Sequence, residues 1–351
     1  MAAYNASLLR LAREQEGLTQ KGLAEKLNVQ QAVLSKYENG SIIPPENMQQ
    51  KIAAALDYPV AFFLQTDGES PSGLVFHRKR SSLLLSSVRV RIEAEVRTRS
   101  LDVIKLFRSH DLHSNIIPRE GRTPVEMAKA VRAHWQVAPG PIDDLTALLE
   151  ANGIVVLQFD FQTDKLDGFF MPLPGSIISI ALNDNPAFSP DRRRHTLAHE
   201  CGHALLEHCD EFPDDEREKE AEAFAAELLT PADCITAELQ PPLTLARLRE
   251  LKSRWKVSMG SLLYRAHSLG TINDSMYRRT WMFLSSLGYR KREPDCDIPD
   301  EHPALLTREM SRFVASNPNA LETLCLSASR FHARYPEINW EGQSSMTPTA
   351  S

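Results

Sequence analysis

Residues 196–208 read TLAHECGHALLEH and form the most informative stretch of the chain. They contain an HExxH pattern, in which His199 and His203 are four residues apart and Glu200 follows the first histidine. On a helix, positions i and i+4 share one face, so both imidazoles can reach one zinc ion. An accidental match on an amphipathic helix would arise in roughly a few chains per hundred of this length. The pattern favours a helix that carries two zinc ligands and a general base, Glu200.

A catalytic zinc ion needs a third protein ligand, and the next predicted helix offers several carboxylates. Residues 218–231 read EKEAEAFAAELLTP, in which Glu218 and Glu222 share a stripe beside the apolar face while two other glutamates point elsewhere. Helical geometry favours Glu218 or Glu222 as the ligand and leaves the other to fix a histidine tautomer. The alternative is an ordinary solvated surface, because residues 210–222 carry eight acids against two bases.

Together these segments resemble the ImmA/IrrE metallopeptidases over about residues 140–232. That family shows a strand ending in Asn, then R-F-T-L-A-H-E-L-G-H, then E-x-x-A-N/D-x-F-A-A-x-L-L-x-P. The resemblance implies a zinc-dependent endopeptidase with Glu200 as general base. The metal ligands that it implies are His199, His203 and Glu218.

The same resemblance places three further side chains near the site. Asn183 falls at the end of an edge strand, along which a peptide substrate would add by β-pairing. Glu222 falls where the family usually has Asn or Asp, and this longer side chain would contact a metal ligand or line the cleft. His195 replaces a usual aromatic one turn before the first ligand, where simultaneous ligation by three histidines is awkward. We expect His195 to line the cleft or to be partly buried, with a contact to the substrate or oxyanion as the alternative.

Residues 17–40 read GLTQKGLAEKLNVQQAVLSKYENG and have the form of a helix-turn-helix. Their leucines and alanines recur at helical spacing, which predicts a small all-helical core. The run resembles the Cro/cI (Xre) repressor domains over about residues 5–65. The positions left on the exposed face of the second helix of the pair are Gln30, Gln31, Ala32, Ser35 and Lys36.

The resemblance implies how such a domain docks on an operator. In that family's docking, the positions of Gln31, Ala32 and Lys36 face bases in the major groove. Gln20 and Asn39 would hold phosphates at helix ends, which positions the domain without specifying sequence.

The alternative for this domain is a helical bundle that binds a protein partner. Residues 1–65 contain six bases and six acids, so the electrostatic contribution to DNA binding would be small. Several arginines follow within residues 78–99, and they either reinforce phosphate binding or solvate a long helix.

Composition limits the class of protein. The 351 residues are 42% hydrophobic and 25% charged with a net charge of −6, which excludes global disorder. No apolar run approaches the roughly 20 residues of a membrane helix. The five cysteines form no CxxC pair, which fits a reducing cytoplasm better than a disulfide framework.

We predict a multidomain, mainly α-helical protein with a small α+β core. Strands are expected over 153–159, 167–171 and 176–182, before the HExxH helix. Residues 241–340 are expected to be helical, and we expect residues 251–279 to pack or to contact substrate rather than to form a second DNA-reading unit. The expected units are a helix-turn-helix domain (1–66), a linker with a long connector helix (67–122), a zincin-like metallopeptidase core (123–240), C-terminal helices (241–340) and a disordered tail (341–351).

The predicted function is that of a cytoplasmic DNA-binding transcriptional regulator with zinc-dependent endopeptidase activity. The resemblance implies cleavage of an Xre-type repressor or another regulatory protein in a stress or mobile-element response. The expected partners are Zn²⁺, operator DNA and a protein substrate. A homodimer is compatible with the sequence, and no association with a membrane is expected. The alternative is a DNA-binding regulator or antitoxin whose peptidase-like domain senses a ligand or binds a partner without turnover.

Overall fold

The computed structural model describes residues 4–65, 85–110, 113–206, 213–290, 292–294 and 297–338. Within these residues the protein is mainly helical and has a three-stranded mixed sheet, which confirms the predicted fold class. The first part of the predicted linker and connector unit (67–84) and the predicted tail over 341–351 lie outside the described residues. None of the helices described is both long and apolar enough to cross a membrane.

The N-terminal region is a bundle of four short helices and a 3₁₀ turn. Thr19 caps the second helix by accepting a hydrogen bond from the Gly22 amide, and Asn28 ends it in a left-handed conformation with φ of 54°. The third helix follows after a tight turn, so the predicted helix-turn-helix is present. The elements are α1 (Ala6–Gln15), α2 (Gln20–Leu27), α3 (Gln31–Glu38), α4 (Glu46–Ala55) and the 3₁₀ turn (Val60–Leu64).

A single long helix, α5 (Ser86–His110), connects this bundle to the rest of the chain. The first helix of the bundle packs along α5, and apolar side chains such as Ile92 and Val96 are fully buried there. The bundle and the connector therefore share one hydrophobic core.

The sheet has the strand order β1-β3-β2, with β1 (Val155–Phe159), β2 (Gly168–Leu173) and β3 (Ile177–Asn183). The central strand β3 runs parallel to β1 and antiparallel to β2. The prediction that the strand ending at Asn183 is an edge strand is therefore wrong. Every residue of β3 is buried, as expected for a strand with apolar residues on both faces and only Ser179 and Asn183 polar, whereas β2 carries Pro172, a residue suited to an edge.

The sheet separates two hydrophobic cores because its residues alternate between its faces. Ile177 and Ala181 of β3 join the core that contains the N-terminal bundle and α5. Ile178 and Ile180 join a second core on the opposite face. The helices of that second core include α6 (Pro124–His134), α7 (Leu145–Ala151), α8 (Pro190–Leu206) and α9 (Asp214–Leu229).

The C-terminal helices divide between the two cores. Helices α10 (Ala232–Ile235), α11 (Leu245–Trp255), α12 (Met259–Ser268) and α13 (Asp274–Ser286) follow α9, and residues of all four belong to the second core. The chain then returns to the first core, where its last elements pack near α5. These are α14 (Leu305–Ser316), α15 (Ala320–Leu324) and α16 (Ala328–Arg334).

A chain of buried hydrogen bonds runs through the first core and joins its three parts. The Arg334 guanidinium donates to Asp102 on α5 at 2.6 Å and to the Tyr58 hydroxyl at 2.8 Å. Tyr58 donates to the Gln15 side chain at 2.6 Å, and the Gln15 amide donates to Glu95 at 2.7 Å. The C-terminal helix thereby connects to the helix-turn-helix bundle and to the connector.

Candidate metal centre and DNA-reading face

The HExxH segment lies in the C-terminal half of α8, between the sheet and α9. Two glycines allow its close approach to both neighbours. A Cβ at Gly168 would lie 3.0 Å from Cγ2 of Thr196 on α8, and one at Gly202 would lie 3.0 Å from Cδ1 of Phe224 on α9. One face of α8 thus packs closely against the sheet, and another face packs closely against α9.

Three side chains from α8 and α9 converge at this contact. The two Nε2 atoms of His199 and His203 lie 3.0 Å apart. Oε2 of Glu218 lies 3.4 Å from Nε2 of His199, and Oε1 of the same carboxylate lies 3.4 Å from Nε2 of His203. Both histidines are buried, and Glu218 is partly exposed.

This cluster suits a tetrahedral zinc site in both its spacing and its donor set. Two ligand atoms bound at about 2.0–2.1 Å in such a site lie roughly 3.3 Å apart. Each observed separation, 3.0, 3.4 and 3.4 Å, is close to that value, with one Glu218 oxygen facing each histidine. Two imidazole nitrogens and one carboxylate oxygen are also a donor set found in catalytic zinc sites.

Glu200 lies one position after the first histidine and is buried with both histidines. The other candidates on α9 point elsewhere, as helical geometry predicts. Glu220 pairs with Arg119 at 2.9 Å, and Glu227 forms a buried ion pair with Arg265. Glu218 is therefore the glutamate of α9 that joins the histidine pair.

Glu222 lies one helical turn after Glu218 and contacts two histidines. One carboxylate oxygen accepts a hydrogen bond from Nε2 of His195 at 3.1 Å, and the other lies 3.6 Å from Nδ1 of His199. Burial opposes ionisation of Glu222, but hydrogen bonds and positive charge from these histidines hold its pKa well below its usual range. Glu222 thus touches the ring nitrogen of His199 that faces away from His203.

Asn183 does not reach this centre. Its side-chain oxygen accepts from the Phe161 amide at 3.1 Å, and its side-chain nitrogen donates to the carbonyls of Thr163 and Leu166 at 2.8 and 2.7 Å. The side chain therefore holds the loop between β1 and β2 in place. Cys201, on the motif helix, is also internal, and burial raises the pKa of its thiol.

A cleft of about 790 Å³ opens beside the metal centre. Its near wall includes His195, His199 and Glu222. Its far wall comes from the C-terminal helices α11–α13 and the segment after them. The sequence predicts that this region packs or contacts substrate, but it does not indicate which of its side chains face the cleft. The aromatic residues of this wall are Tyr264, Tyr277, Trp281 and Tyr289.

The helix-turn-helix bundle presents the predicted face of α3. Leu34 and Tyr37 are buried, and Ser35 is half-buried. The exposed residues are Gln30, Gln31, Ala32, Lys36 and Asn39.

The two residues expected at phosphates differ in their contacts. The Gln20 amide donates at 2.9 Å to Glu38, which also pairs with Arg13 inside the bundle. The Asn39 side chain is exposed and accepts a hydrogen bond from the Ser41 amide at 3.0 Å. Gln20 is therefore partly held by the protein, whereas Asn39 lies at the surface.

The arginines that begin α5 are used within the protein. Arg89 pairs with Glu93 at 2.7 Å, and Arg99 pairs with Glu95 at 2.6 Å. Arg91 donates to the carbonyl of Phe161 at 2.7 Å. These contacts favour an internal role for this part of the 78–99 segment, while residues 78–80 lie outside the described residues.

Comparison with known families agrees with this architecture. The IrrE N-terminal-like domain of the M78 peptidases matches residues 149–267, and a helix-turn-helix domain matches residues 9–63. The chain therefore carries a helix-turn-helix DNA-binding domain followed by an IrrE-like metallopeptidase domain. No curated protein matches the chain.

Proposed function

We propose that the protein is a DNA-binding regulator with zinc-dependent endopeptidase activity. The cluster of His199, His203 and Glu218 is the observation that supports it most directly, because its spacing and donor types suit a catalytic zinc ion. The match to an M78 peptidase domain over the same residues supports the same chemistry.

Each side chain of the centre has a role in this proposal. Zinc, when bound, polarises a scissile carbonyl and lowers the pKa of a water molecule. Glu200 accepts a proton from that water and later passes it to the leaving amine. Glu222 fixes the ring of His199 through Nδ1, as carboxylates beside metal-binding histidines do.

The edge strand β2 replaces β3 as the proposed strand for substrate pairing. Among the described residues, no strand pairs with the other side of β2, so its backbone groups can accept an added peptide strand. β2 also lies against α8, where the Phe170 ring stacks at 6.4 Å from the His203 ring. A peptide on this edge would therefore lie beside the metal centre.

The proposed substrate is an Xre-type repressor or a related regulatory protein, cleaved in a stress or mobile-element response. The helix-turn-helix domain would bring the enzyme to operator DNA, with Gln31, Ala32 and Lys36 towards the major groove. We place the protein in the cytoplasm and expect a homodimer, since operators commonly carry two half-sites.

Metal content and proteolysis test the enzymatic part separately. Purified protein should contain one zinc ion per chain, and Glu218→Ala should lose it. Glu200→Gln should keep the zinc but lose cleavage of a neighbouring repressor. Equal cleavage by wild type and Glu200→Gln would refute the assigned base, and a zinc-free wild type would refute the enzyme.

DNA binding is tested by a double variant, Gln31→Ala with Lys36→Ala. We expect it to abolish operator binding and to leave zinc content unchanged. Lys21→Ala is a suitable control, because Lys21 is exposed on α2 outside the proposed contact set. Unaltered affinity in the double variant would place the DNA contacts elsewhere.

The second candidate is a regulator whose peptidase-like domain binds a ligand without turnover. The cleft of about 790 Å³ favours it, because pockets that enclose small ligands span about 300–1,000 Å³. A zinc-loaded wild type that cleaves no repressor, yet changes its DNA affinity on ligand binding, would support this candidate.

A further inference from the structure

The far wall of the cleft is aromatic and lies outside the metal centre. Tyr264 on α12 is 49% exposed, although a side chain of this size is usually covered. Tyr277 and Trp281 on α13 and Tyr289 after α13 line the same space. His199 and Glu222 line it as well, so the aromatic wall faces a cavity continuous with the metal centre.

Three of these rings are held in place from behind. Trp281 lies against the backbone of α12 at Gly260, where a Cβ would meet its ring at 3.0 Å. Tyr277 stacks on His267 with ring centroids 4.5 Å apart, and the Tyr289 hydroxyl accepts a hydrogen bond from Arg249 at 2.9 Å. Such rings can bind a ligand with little further loss of side-chain entropy.

The charged side chains of the cleft are largely paired with one another. Lys252 lies 2.8 Å from Glu293 and 3.2 Å from Asp191. Arg192 pairs with Asp167 at 2.7 Å, and Arg193 pairs with Asp300 at 2.6 Å. Because these groups line the cleft with both members of each pair, they add little preference for a charged ligand. The lining also includes Arg265, which pairs with the buried Glu227, and Arg290 and Arg292. The aromatic surface supplies an affinity that does not depend on charge.

The edge strand β2 leads towards this cleft. Asp167 immediately precedes β2 and lines the cleft, so a peptide paired along β2 passes into it at that end. The occupant is therefore continuous with the substrate of the proposed endopeptidase.

We propose that the wall formed by Tyr264, Tyr277, Trp281 and Tyr289 binds a bulky apolar or aromatic side chain of the peptide substrate. This inference rests on the proposed peptidase function, and it names the determinant that selects the cleavage site. The substrate is then a flexible segment that carries a large apolar side chain within a few residues of the scissile bond.

Peptide binding to zinc-loaded Glu200→Gln tests the inference without any turnover. The probes are end-blocked, fluorescently labelled decapeptides that differ only in a central Trp, Leu, Ala or Asp. We expect the Trp and Leu peptides to bind at least tenfold more tightly than the Ala and Asp peptides. Adding Tyr264→Ala or Trp281→Ala should remove most of that preference.

Met282→Ala is the matched control, because Met282 is 67% exposed beside Trp281 and does not line the cleft. Tyr264→Ala keeps the test decisive if Trp281→Ala unfolds, since an exposed ring contributes little to the core. Equal binding of all four peptides, or equal preference in the Tyr264→Ala and Met282→Ala backgrounds, would overturn the inference. Cleavage by wild type without side-chain preference would overturn this inference alone, whereas preferential binding without cleavage by wild type would overturn only the proposed function.

Discussion

Replacing Arg334 by methionine should destabilise the N-terminal bundle, although Arg334 lies 276 residues after Tyr58, its partner in that bundle. The Arg334 and Asp102 side chains are 3% and 2% exposed and lie 2.6 Å apart. Removing one partner of such a buried pair costs about 3–5 kcal/mol, because the remaining charge stays buried without its counterpart. The Tyr58 hydroxyl of the bundle would also lose a hydrogen-bond donor.

Hydrogen exchange measured by mass spectrometry resolves where that loss falls. A loss of 3 kcal/mol corresponds to roughly a 150-fold rise in exchange through local opening. We expect this rise in α1–α4 and α14–α16, with zinc content unchanged. Lys21→Met is the control, because Lys21 and Glu25 are 76% and 68% exposed and such a surface pair contributes about 0–1 kcal/mol.

The double variant Asp102→Leu with Arg334→Met distinguishes charge from packing. Replacing both members of a buried pair by apolar residues is often neutral, so most of the lost protection should return. Equal exchange of α1 in Arg334→Met and Lys21→Met would refute the role given to this pair. A double variant as unstable as the sum of its single variants would attribute the effect to packing.

Three further perturbations test other parts of the structure. Gly202→Ala should lower the free energy of unfolding by about 1–3 kcal/mol and reduce bound zinc, because the added Cβ meets Phe224 at 3.0 Å. An unchanged melting temperature would contradict this. Burial opposes ionisation of Glu95, but neighbouring guanidinium groups and the Gln15 amide lower its pKa from 4.5 to about 2. The ionised carboxylate therefore stabilises the folded protein above pH 4.5, and this stabilisation is lost as pH falls towards 2. That shift corresponds to roughly 3 kcal/mol, and Glu95→Gln should flatten the acid limb of a pH–stability profile; a profile identical to wild type would argue against it. Chelation should lower the melting temperature of the wild type but not of His203→Ala, since an ion that binds only the folded state stabilises it; equal shifts would place the metal elsewhere.

The local elements could be predicted because their signals are local. The HExxH spacing placed two imidazoles on one helix face, and the caps and turns of residues 17–40 predicted a helix-turn-helix. The glutamate of α9 could be narrowed to Glu218 or Glu222 by helical geometry, and the structure brings Glu218 to the histidines while Glu222 contacts the far side of one ring.

Strand order and long-range contacts could not be predicted in the same way. The apolar run of β3 indicates a strand, but pairing partners depend on the whole fold, and the prediction of an edge position was wrong. That strand did contain a usable signal, since apolar residues on both of its faces are typical of a central position. Arg334 lies on a short helix with no motif, so its contact with Asp102 had no local signature.

The helix-turn-helix bundle shares the first core with α5 and the C-terminal helices, so it cannot be cut away from them without exposing apolar surface. Apolar side chains of α1, α5 and the C-terminal helices cover one another, so a fragment that ends after residue 65 would leave part of that surface open to water. A gene fusion that transplanted the helix-turn-helix alone would have to supply a new cover for this surface. The DNA-reading unit that can be transferred as a stable whole therefore includes the connector helix and the last helices, which are distant in the sequence but adjacent in the fold.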